Sequence, residues 1–395
     1  TDLVMSTPEG FASTSWETGY GDYVLRPDLS TMRHIPWLEK TVLVLGDVLD
    51  HHSHEPVSHS PRAMLKKQIA RLDAMGFDAM MATELEFFLF EGDYRSLQKE
   101  KYANLVPLNG HNEDYCLFQT TKEESFLQPL RNHLVAAGIP IECTKGEAEV
   151  GQQELNIRYA DALACADNHT ISKQAIKEIA FQQGFSASFL PKWAADKVGS
   201  SSHVHMSLWK DGTPAFYDKE AKLGMSQMMQ HFMAGLIAYA PDITYFFAPY
   251  INSYKRFAKG TFAPTKTVWS VDNRTAGFRL CGDGTKGIRV ECRIGGSDLN
   301  PYLAQAVLLA AGLKGIEEKL PLQEPTKGDA YEDASVTEIP RTLRAATETL
   351  RNSAMLRQAL GDDVVDHYTR AAEWEQEEYD KVVTDWEINR GFERA

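Results

Sequence analysis

One stretch of this sequence, NRTAGFRLCGDGTKGIRVECR at residues 273–293, constrains the chain more than any other. It gathers four arginines in a chain whose formal net charge is −14. Its last seven residues alternate as in a β-strand, so Arg289, Glu291 and Arg293 share one face and the apolar residues between them share the other. Guanidinium groups bind two oxygens of a phosphate or carboxylate at once. The stretch predicts an anion site whose acid is an ion-pair partner or a metal ligand, with an ion-paired exposed strand as the simpler alternative.

The composition limits the partners of this chain. Its 395 residues are 43% hydrophobic, which is enough for a large core and about two or three domains. Acidic residues outnumber basic ones and no basic block occurs, which disfavours nucleic acid and anionic membranes. No apolar run approaches the roughly 18 residues of a membrane span, and the first residues lack a signal-peptide pattern. We therefore expect a cytoplasmic protein that binds small molecules.

The five cysteines are scattered without a CxxC pair, so neither a disulfide framework nor a zinc knuckle is indicated. We expect all of them to be small buried hydrophobic residues. They are Cys116, Cys143, Cys165, Cys281 and Cys292.

Acidic side chains recur on segments that otherwise look like buried strands. The segment FDAMMATELEFFLF at 77–90 places Glu84 and Glu86 on one face, although an exposed edge strand is the alternative. Glu147 and Glu154 flank a turn-like segment that can bring both acids to one place. His203 and its neighbour two residues later share a face of a strand that follows a loop of small residues, where a structural role competes with ligation.

Several further elements are predicted from capping and periodicity. Ser60 and Pro61 begin a helix that stops at Gly76, and Asn300 precedes a helix that runs through Leu313. Helices are also expected at 170–184 and 225–239, and strands at 21–28 and 41–50. The four histidines within 51–59 are interpreted as a solvated loop. Residues 91–135 give no clear prediction.

Carboxylates with imidazole as the nitrogen ligand favour hard divalent cations, and arginines beside them favour phosphate. This combination predicts ATP chemistry with two metal ions. The chain has no GxxxxGK[ST] motif, no kinase HRD or DFG motif and no GxGxxG after a strand.

The motifs ELEFF, GEAEVGQQE, GSSSHVHMSL, NSYKRF, NRTAGFRL, RVECR and NPYLAQAVLLAAGL occur here in one order. In these motifs the chain resembles the glutamine synthetase superfamily, in its bacterial type I branch and the related γ-glutamyl-amine ligases. The resemblance implies an α+β catalytic domain at 59–395, with a curved antiparallel sheet funnel flanked by helices. It implies a partial β-grasp-like N-terminal domain at 1–58. It also implies ring-shaped homo-oligomers, with a dodecamer as one candidate and with sites between subunits.

The same resemblance implies roles for individual residues, with ATP as co-substrate and two Mg²⁺ or Mn²⁺ ions per site. One metal would be held by Glu86, Glu147 and Glu154, and the other by Glu84, His203 and Glu291. Glutamate would be bound by Arg256, Arg293 and Gly199. The transferred phosphate and the nucleotide would be contacted by Arg274, Arg279, Arg289, Tyr159, His205 and Ser207, with Arg274 and Arg256 catalytic.

Two departures from the family pattern concern the amine. Members that use ammonia carry a glutamate in a GxEAP loop, whereas this chain has Phe262 at that place in GTFAP. Nothing in TPEGFASTSW, at 7–16, reproduces the N-terminal acid that completes the ammonium site. We therefore expect a ligase that joins glutamate to an organic amine, with Phe262 in the amine pocket. A glutamine synthetase using ammonia is the first alternative, and a non-catalytic structural relative is the second.

Overall fold

A large mixed sheet forms the centre of the protein in this computed structural model, which describes residues 6–7, 10–11, 19, 21–332 and 336–394. Its ten strands are β7 (Asp78–Glu91), β8 (Ile141–Gly146), β9 (Gln152–Ile157), β10 (Ala160–Asp161), β11 (Phe185–Ser188), β12 (Val204–Lys210), β13 (Thr213–Pro214), β14 (Trp269–Val271), β15 (Phe278–Cys281) and β16 (Arg289–Cys292). Seven of these strands follow the order β14-β15-β16-β12-β7-β9-β8 across the sheet, while β10 and β11 pair with β7 and β13 pairs with β12.

The expected strand at 77–90 is confirmed as β7, which is apolar and has β9 and β12 as its long neighbours. Its pairing sets the register of the acidic residues, because Glu86 lies opposite Glu154 on β9. On the other side, His205 of β12 lies opposite Glu291 of β16. The expected antiparallel sheet is wrong at one pair, since β14 and β15 run parallel.

Helices cover the sheet. They are α1 (Pro61–Asp73), α2 (Tyr94–Lys99), α3 (Leu117–Lys122), α4 (Glu124–Ala136), α5 (Ala162–Gln182), α6 (Gln227–Ile243), α7 (Pro301–Glu318), α8 (Leu343–Asn352), α9 (Ala354–Leu360), α10 (Asp362–Asp380) and α11 (Asp385–Gly391). Among them, α6 and α7 pack most closely, because a Cβ on Gly235 would lie 2.8 Å from the Cα of Gly315. None of the described helices is long and apolar enough to cross a membrane.

Helix ends follow local capping. Asn300 caps α7 as predicted, and its side chain accepts a hydrogen bond from the Tyr302 amide at 3.1 Å. Helix α5 begins eight residues earlier than expected, because Asp161 accepts from the Ala164 amide at 3.0 Å and so caps an earlier start. The unassigned segment 91–135 contains α2 and α3 and all but the last residue of α4.

The N-terminal region forms small antiparallel pairs, β1 (Ser6–Thr7) with β2 (Gly10–Phe11), β3 (Tyr23–Pro27) with β6 (Gly46–Asp50), and β4 (Arg33–His34) with β5 (Val42–Leu43). The single strand expected at 41–50 is therefore two, because its halves pair with different partners. Ile35 and Trp37 pack in the same apolar core as Leu85 and Phe87. The domain boundary after residue 58 stays a prediction, and residues 1–5 lie outside the described part.

Arg62 of α1 connects this region to the rest of the fold. Its guanidinium donates to Asp28 at 2.8 Å, to Asp47 at 2.7 Å and to Asp167 of α5 at 3.0 and 3.1 Å. The Arg62 side chain is buried, so these ion pairs offset the free energy lost when its charge is removed from water.

Two further expectations have different outcomes. The histidine-rich segment is a largely exposed turn, as predicted, with the ring of His59 stacked on His367 at 4.1 Å. The expectation of five buried cysteines is wrong for Cys116 and Cys143, which are exposed, and for Cys281, which is half-buried. Cys116 precedes a surface helix and Cys143 lies on β8 at the edge of the sheet, so neither reaches the core.

Candidate active site

Most of the predicted site residues line one cavity of about 370 Å³ beside the central strands. The residues of both expected metal sets border it, together with Gly199, Phe262 and the arginines Arg256, Arg274, Arg279 and Arg293. A larger cavity of about 780 Å³ lies elsewhere, but neither metal set borders it.

The first set of acids is Glu86, Glu147 and Glu154, whose carboxylate oxygens lie within 4.8 Å of one another. Burial, followed by the negative charge of Glu147, raises the pKa of Glu86 to about 7. Burial also raises the pKa of Glu154 to about 9, with further contributions from the neighbouring carboxylates, of which Glu84 is the largest. A divalent cation would relieve both penalties, so these residues fit a hard metal ion.

The second set is Glu84, His203 and Glu291, again with ligand atoms within 4.8 Å. Glu84 contacts Nδ1 of His203 at 2.6 Å and Nε2 of His205 at 2.8 Å. Nδ1 of His203 also lies 3.4 Å from Glu291. Nδ1 of His203 faces both carboxylates of the set, so it is the ring nitrogen that can share a cation with Glu84 and Glu291.

Neighbouring charges and hydrogen bonds keep both carboxylates of the second set ionised, as a cation requires. Burial alone would raise the pKa of Glu84, but the charge and hydrogen bond of His203 and the hydrogen bond of His205 hold it well below its usual value. Burial opposes ionisation of Glu291 too, yet His203 and Arg293 lower its pKa to about 2. Burial and the charge of Arg293 lower the pKa of His203 itself, so this imidazole is neutral at neutral pH. A neutral imidazole can still donate a hydrogen bond, and this hydrogen bond stabilises the ionised carboxylate there.

The arginines fall into different environments. Arg293 forms an ion pair with Glu291 and donates from Nε to the Arg274 carbonyl at 3.3 Å. Arg279 donates to Glu291 at 2.9 Å and pairs with Asp272. The Arg274 side chain is exposed at the cavity. The guanidinium groups of Arg279 and Arg293 therefore flank the buried Glu291 carboxylate, and the exposed Arg274 side chain can bind an anion.

Arg256 is buried and holds the backbone of the site. It donates to the carbonyls of Arg293, Ile294 and Gly295 at 2.9–3.1 Å, using three of its five N–H donors. Burial lowers the pKa of Arg256 to about 10. The contacts fix the chain around Arg293 and leave two donors for a carboxylate.

Gly199 packs against Arg256 more closely than any other residue type allows. An added Cβ would lie 2.5 Å from the Pro191 carbonyl oxygen and 2.8 Å from Cγ of Arg256. Its own carbonyl accepts from Gln152 Nε2 at 3.2 Å, and Gln152 also donates to Glu86 at 3.1 Å. The absence of a side chain at Gly199 therefore fixes where Arg256 lies relative to the first set of acids.

The expected nucleotide contacts do not line the cavity, except for Arg274 and Arg279. The other four are Tyr159, His205, Ser207 and Arg289. Arg289 donates to Nδ1 of His205 at 3.2 Å, so it adjoins the second metal set. Tyr159 is exposed and its ring stacks on Trp209 at 6.5 Å. Among these four residues, His205 of β12 and Arg289 of β16 contact each other, and their contacts with a nucleotide stay a prediction.

The cavity also contains residues that the sequence analysis missed. Lys145 pairs with Glu147 and lies 3.8 Å from Asp114, and its ammonium lies 4.9 Å from the centre of the Tyr115 ring. Burial disfavours the charged form of Lys145, but the charge of Glu147 outweighs it and raises the pKa. The alternation of side chains along β8 could have indicated Lys145, because this residue pairs with Glu154 and so lies on the same face of the sheet.

Phe262 lines the same cavity as Asp114 and Tyr115. Its side chain is 55% exposed and its φ is +58°, an unusual conformation for a residue with a large side chain. The loop therefore presents an aromatic ring to the cavity and to solvent at once. Of segment 7–16, only the backbone pairing of residues 7, 10 and 11 lies within the described residues.

Comparison with known proteins defines the class of this chain. The model of the family "Glutamine synthetase, catalytic domain" matches residues 58–391. The chain therefore belongs to the glutamine synthetase family, whose members are carbon–nitrogen ligases, and it is a ligase of this type. The α+β fold inferred from the sequence motifs is confirmed.

Three individual proteins are similar to nearly the whole chain. The chain is 43% identical over 394 residues to a γ-glutamylethanolamide synthetase of Streptomyces coelicolor, covering 100% of this chain and 84% of that protein. It is 37% identical to a glutamate–isopropylamine ligase of a Pseudomonas species, covering 98% and 85%. A solved structure described as a GmaS/ADP complex matches with a TM-score of 0.86 and 27% identity, covering 94% of this chain and 86% of that one.

Proposed function

We propose that this protein is an ATP-dependent ligase that joins the side-chain carboxylate of glutamate to an organic amine through a γ-glutamyl phosphate. The observation that carries the proposal is the single cavity that contains both three-ligand sets, four arginines and an aromatic residue in place of the ammonium-binding acid. The similarity to one enzyme named for an ethanolamide product and another named for an isopropylamine substrate supports the same class of substrate.

Different residues of the site would bind different parts of the substrates. Arg293, placed by Arg256, would bind glutamate, and Arg274 and Arg279 would stabilise negative charge on the transferred phosphoryl group. Tyr159, His205, Ser207 and Arg289 would contact the nucleotide. Two Mg²⁺ or Mn²⁺ ions held by the two sets would neutralise phosphate charge and polarise the reacting oxygens.

The proposed reaction has two steps. A γ-carboxylate oxygen of glutamate attacks the γ-phosphorus of ATP, and ADP leaves. The amine nitrogen then attacks the acyl carbon, phosphate leaves, and the nitrogen loses a proton. Among the described acids that line the cavity, Asp114 alone stands outside both metal sets. It is therefore the carboxylate best placed to take the proton that the missing loop acid would accept in an ammonia-using enzyme.

The side chain of Phe262 favours an organic amine over ammonium. A carboxylate at this position would stabilise ammonium, whereas an aromatic ring offers apolar contact to a carbon-bearing substituent. Burial of apolar area contributes about 25 cal/mol per Å², so about 60 Å² of buried hydrocarbon is worth about tenfold in affinity. Tyr115, which borders the same cavity, adds a second ring.

An isotope experiment tests the acyl phosphate. Glutamate labelled with ¹⁸O in its side-chain carboxylate should transfer one ¹⁸O atom to the released phosphate when ATP, Mg²⁺ and an alkylamine are present. Mass spectrometry should also detect the γ-glutamyl amide in equal amount. Amide formation with unlabelled phosphate would contradict the mechanism.

A glutamine synthetase that uses ammonia is the second candidate, favoured by 37% identity to the glutamine synthetase of Thermus thermophilus. A non-catalytic relative is disfavoured because buried carboxylates such as Glu86 and Glu154 destabilise a protein that gains no ligand from them. We also propose that the protein is a cytoplasmic, ring-shaped homo-oligomer, which the family resemblance supports.

A further inference from the structure

We propose that Cys281, His205 and Glu291 form a separate binding site for a thiophilic divalent cation such as Zn²⁺, and that this cation inhibits the ligase by withdrawing Glu291 from catalysis. Each of these residues offers one ligand atom, and the three atoms lie within 4.8 Å of one another. The inhibitory part of this inference rests on the proposed function, whereas the binding part does not.

Three neighbouring strands bring the side chains together. His205 of β12 lies directly opposite Glu291 of β16, and Glu291 lies opposite Arg279 of β15. Cys281 is two residues beyond Arg279, so alternation places its side chain on the same face as Glu291. The contact is direct, because Cys281 Sγ lies 3.4 Å from Glu291 Oε2.

This spacing suits a tetrahedral zinc ion. Zinc bonds of about 2.3 Å to sulfur and about 2.0 Å to a carboxylate oxygen place the two ligand atoms about 3.5 Å apart in a tetrahedron. The observed 3.4 Å between Sγ and Oε2 needs almost no adjustment. A ring nitrogen of His205 supplies the third ligand, and water would supply the fourth.

The donor set distinguishes this site from the two sets assigned to catalysis. Those sets contain carboxylates and one imidazole, which suit Mg²⁺ and Mn²⁺. A thiolate instead selects Zn²⁺, Cd²⁺ or Co²⁺ over Mg²⁺. Because Glu291 belongs to both sites, a cation held by Cys281 competes with the cation held by His203.

Binding requires three local changes, the first of which is that Arg279, which donates to Glu291 Oε2 at 2.9 Å, must release or share that oxygen. The Cys281 thiol must lose its proton to solvent, since only the thiolate ligates. His205 must free one nitrogen, because Nε2 contacts Glu84 at 2.8 Å and Nδ1 accepts from Arg289 at 3.2 Å. Arg289 is exposed and its contact is the longer one, so Nδ1 is the nitrogen that is released more easily.

Cobalt titration of the metal-free, full-length protein tests the binding site. We expect Co²⁺ to produce thiolate-to-cobalt charge-transfer absorption in the near ultraviolet. The absorption should disappear in Cys281→Ser and in Cys281→Ala, and should remain in the controls Cys116→Ser and Cys143→Ser, which remove the exposed thiols. Zn²⁺ affinity should fall at least about tenfold in the Cys281 variants, because loss of a ligand should cost no less than loss of an outer-shell partner. Absence of the band in the parent protein, or its persistence without Cys281, would overturn the site.

The inhibitory role has its own test. With saturating Mg²⁺, ATP, glutamate and amine, micromolar Zn²⁺ should inhibit the parent, and Cys281→Ser should need at least about tenfold more zinc for the same inhibition. Equal inhibition of both proteins would refute the role while leaving the cobalt spectrum to decide the site. If the parent lacks ligase activity with every amine, the proposed function fails instead, and the spectrum still decides whether the cation binds.

Discussion

Metal binding should release protons from one of the two ligand sets and not from the other. The first set holds Glu86, with a pKa of about 7, and Glu154, with a pKa of about 9. Near neutral pH the metal-free protein therefore holds a proton on Glu154 and part of a proton on Glu86. A divalent cation requires both carboxylates ionised, so it should displace more than one proton and fewer than two. In the second set, Glu84 and Glu291 are already ionised.

The size of the effect follows from the same values. From pH 6 to pH 8, ionisation of Glu154 should strengthen apparent metal affinity about a hundredfold and ionisation of Glu86 about tenfold, which is about a thousandfold together. The second set, by contrast, should bind with little dependence on pH across this range. The two classes of site should thus separate as the pH falls.

Calorimetry can measure this linkage directly. Titration of Mn²⁺ at pH 7, in buffers that differ in ionisation enthalpy, gives the number of protons released. Glu154→Gln, which keeps the shape of the side chain, should release about one proton fewer. Affinity that is independent of pH from 6 to 8, with no proton release, would refute the reasoning.

Stability should show the reverse sign without metal. A carboxyl group whose pKa is higher in the folded state stabilises that state at low pH, fully so below the unfolded value of 4.5. This contribution is lost as the pH rises through about 7 and then about 9. The Tm of the metal-free protein should therefore decrease from pH 5 to pH 9, and Mn²⁺ should restore it most at high pH.

Three substitutions test other parts of the account. Arg293→Lys should weaken glutamate binding by tenfold or more, and ATP binding far less, because an ammonium lacks the forked donors of a guanidinium, and an equal loss measured for both ligands would assign Arg293 to the nucleotide instead. Gly199→Ala should push Arg256 aside and raise the KM for glutamate with little change in Tm, whereas an unchanged KM would mean that this close contact is irrelevant to binding. Arg62→Met should lower the free energy of unfolding by about 3–5 kcal/mol in urea titrations, because it removes the cation that Asp28, Asp47 and Asp167 share, although Lys66 still pairs with Asp47, and a loss below about 1 kcal/mol would show that the network is not stabilising.

Alternation along strands predicted much of the site. The period of two placed Glu84 with Glu86 and His203 with His205, and both histidines contact Glu84. Alternation cannot say which strand lies beside which, so the division of six ligands between two cations came from family resemblance. The structure provides the missing step, because the register of β7 against β9 puts Glu86 opposite Glu154.

The residues that sequence reasoning missed depend on contacts between distant segments. Asp114 and Tyr115 belong to a loop without periodicity, and Tyr115 has a φ of +55° that no sequence pattern signals. Lys145 contacts this loop across a distance of about thirty residues in the chain, which the sequence alone does not reveal. Cys281 was assigned to the core from its residue type, although its spacing from Arg279 already placed it on the face of the anion site.

The preference for an organic amine over ammonium is the central claim, and one comparison tests it most directly. With saturating ATP, glutamate and Mg²⁺, kcat/KM should be measured for ammonium and for a panel of mono-, di-, poly- and aromatic amines, including ethanolamine and isopropylamine. We predict that ammonium falls at least about tenfold below the best primary amine, since it buries no hydrocarbon against Phe262, and that Phe262→Glu narrows the gap. Ammonium as the best nucleophile of the panel would contradict the account and identify a glutamine synthetase.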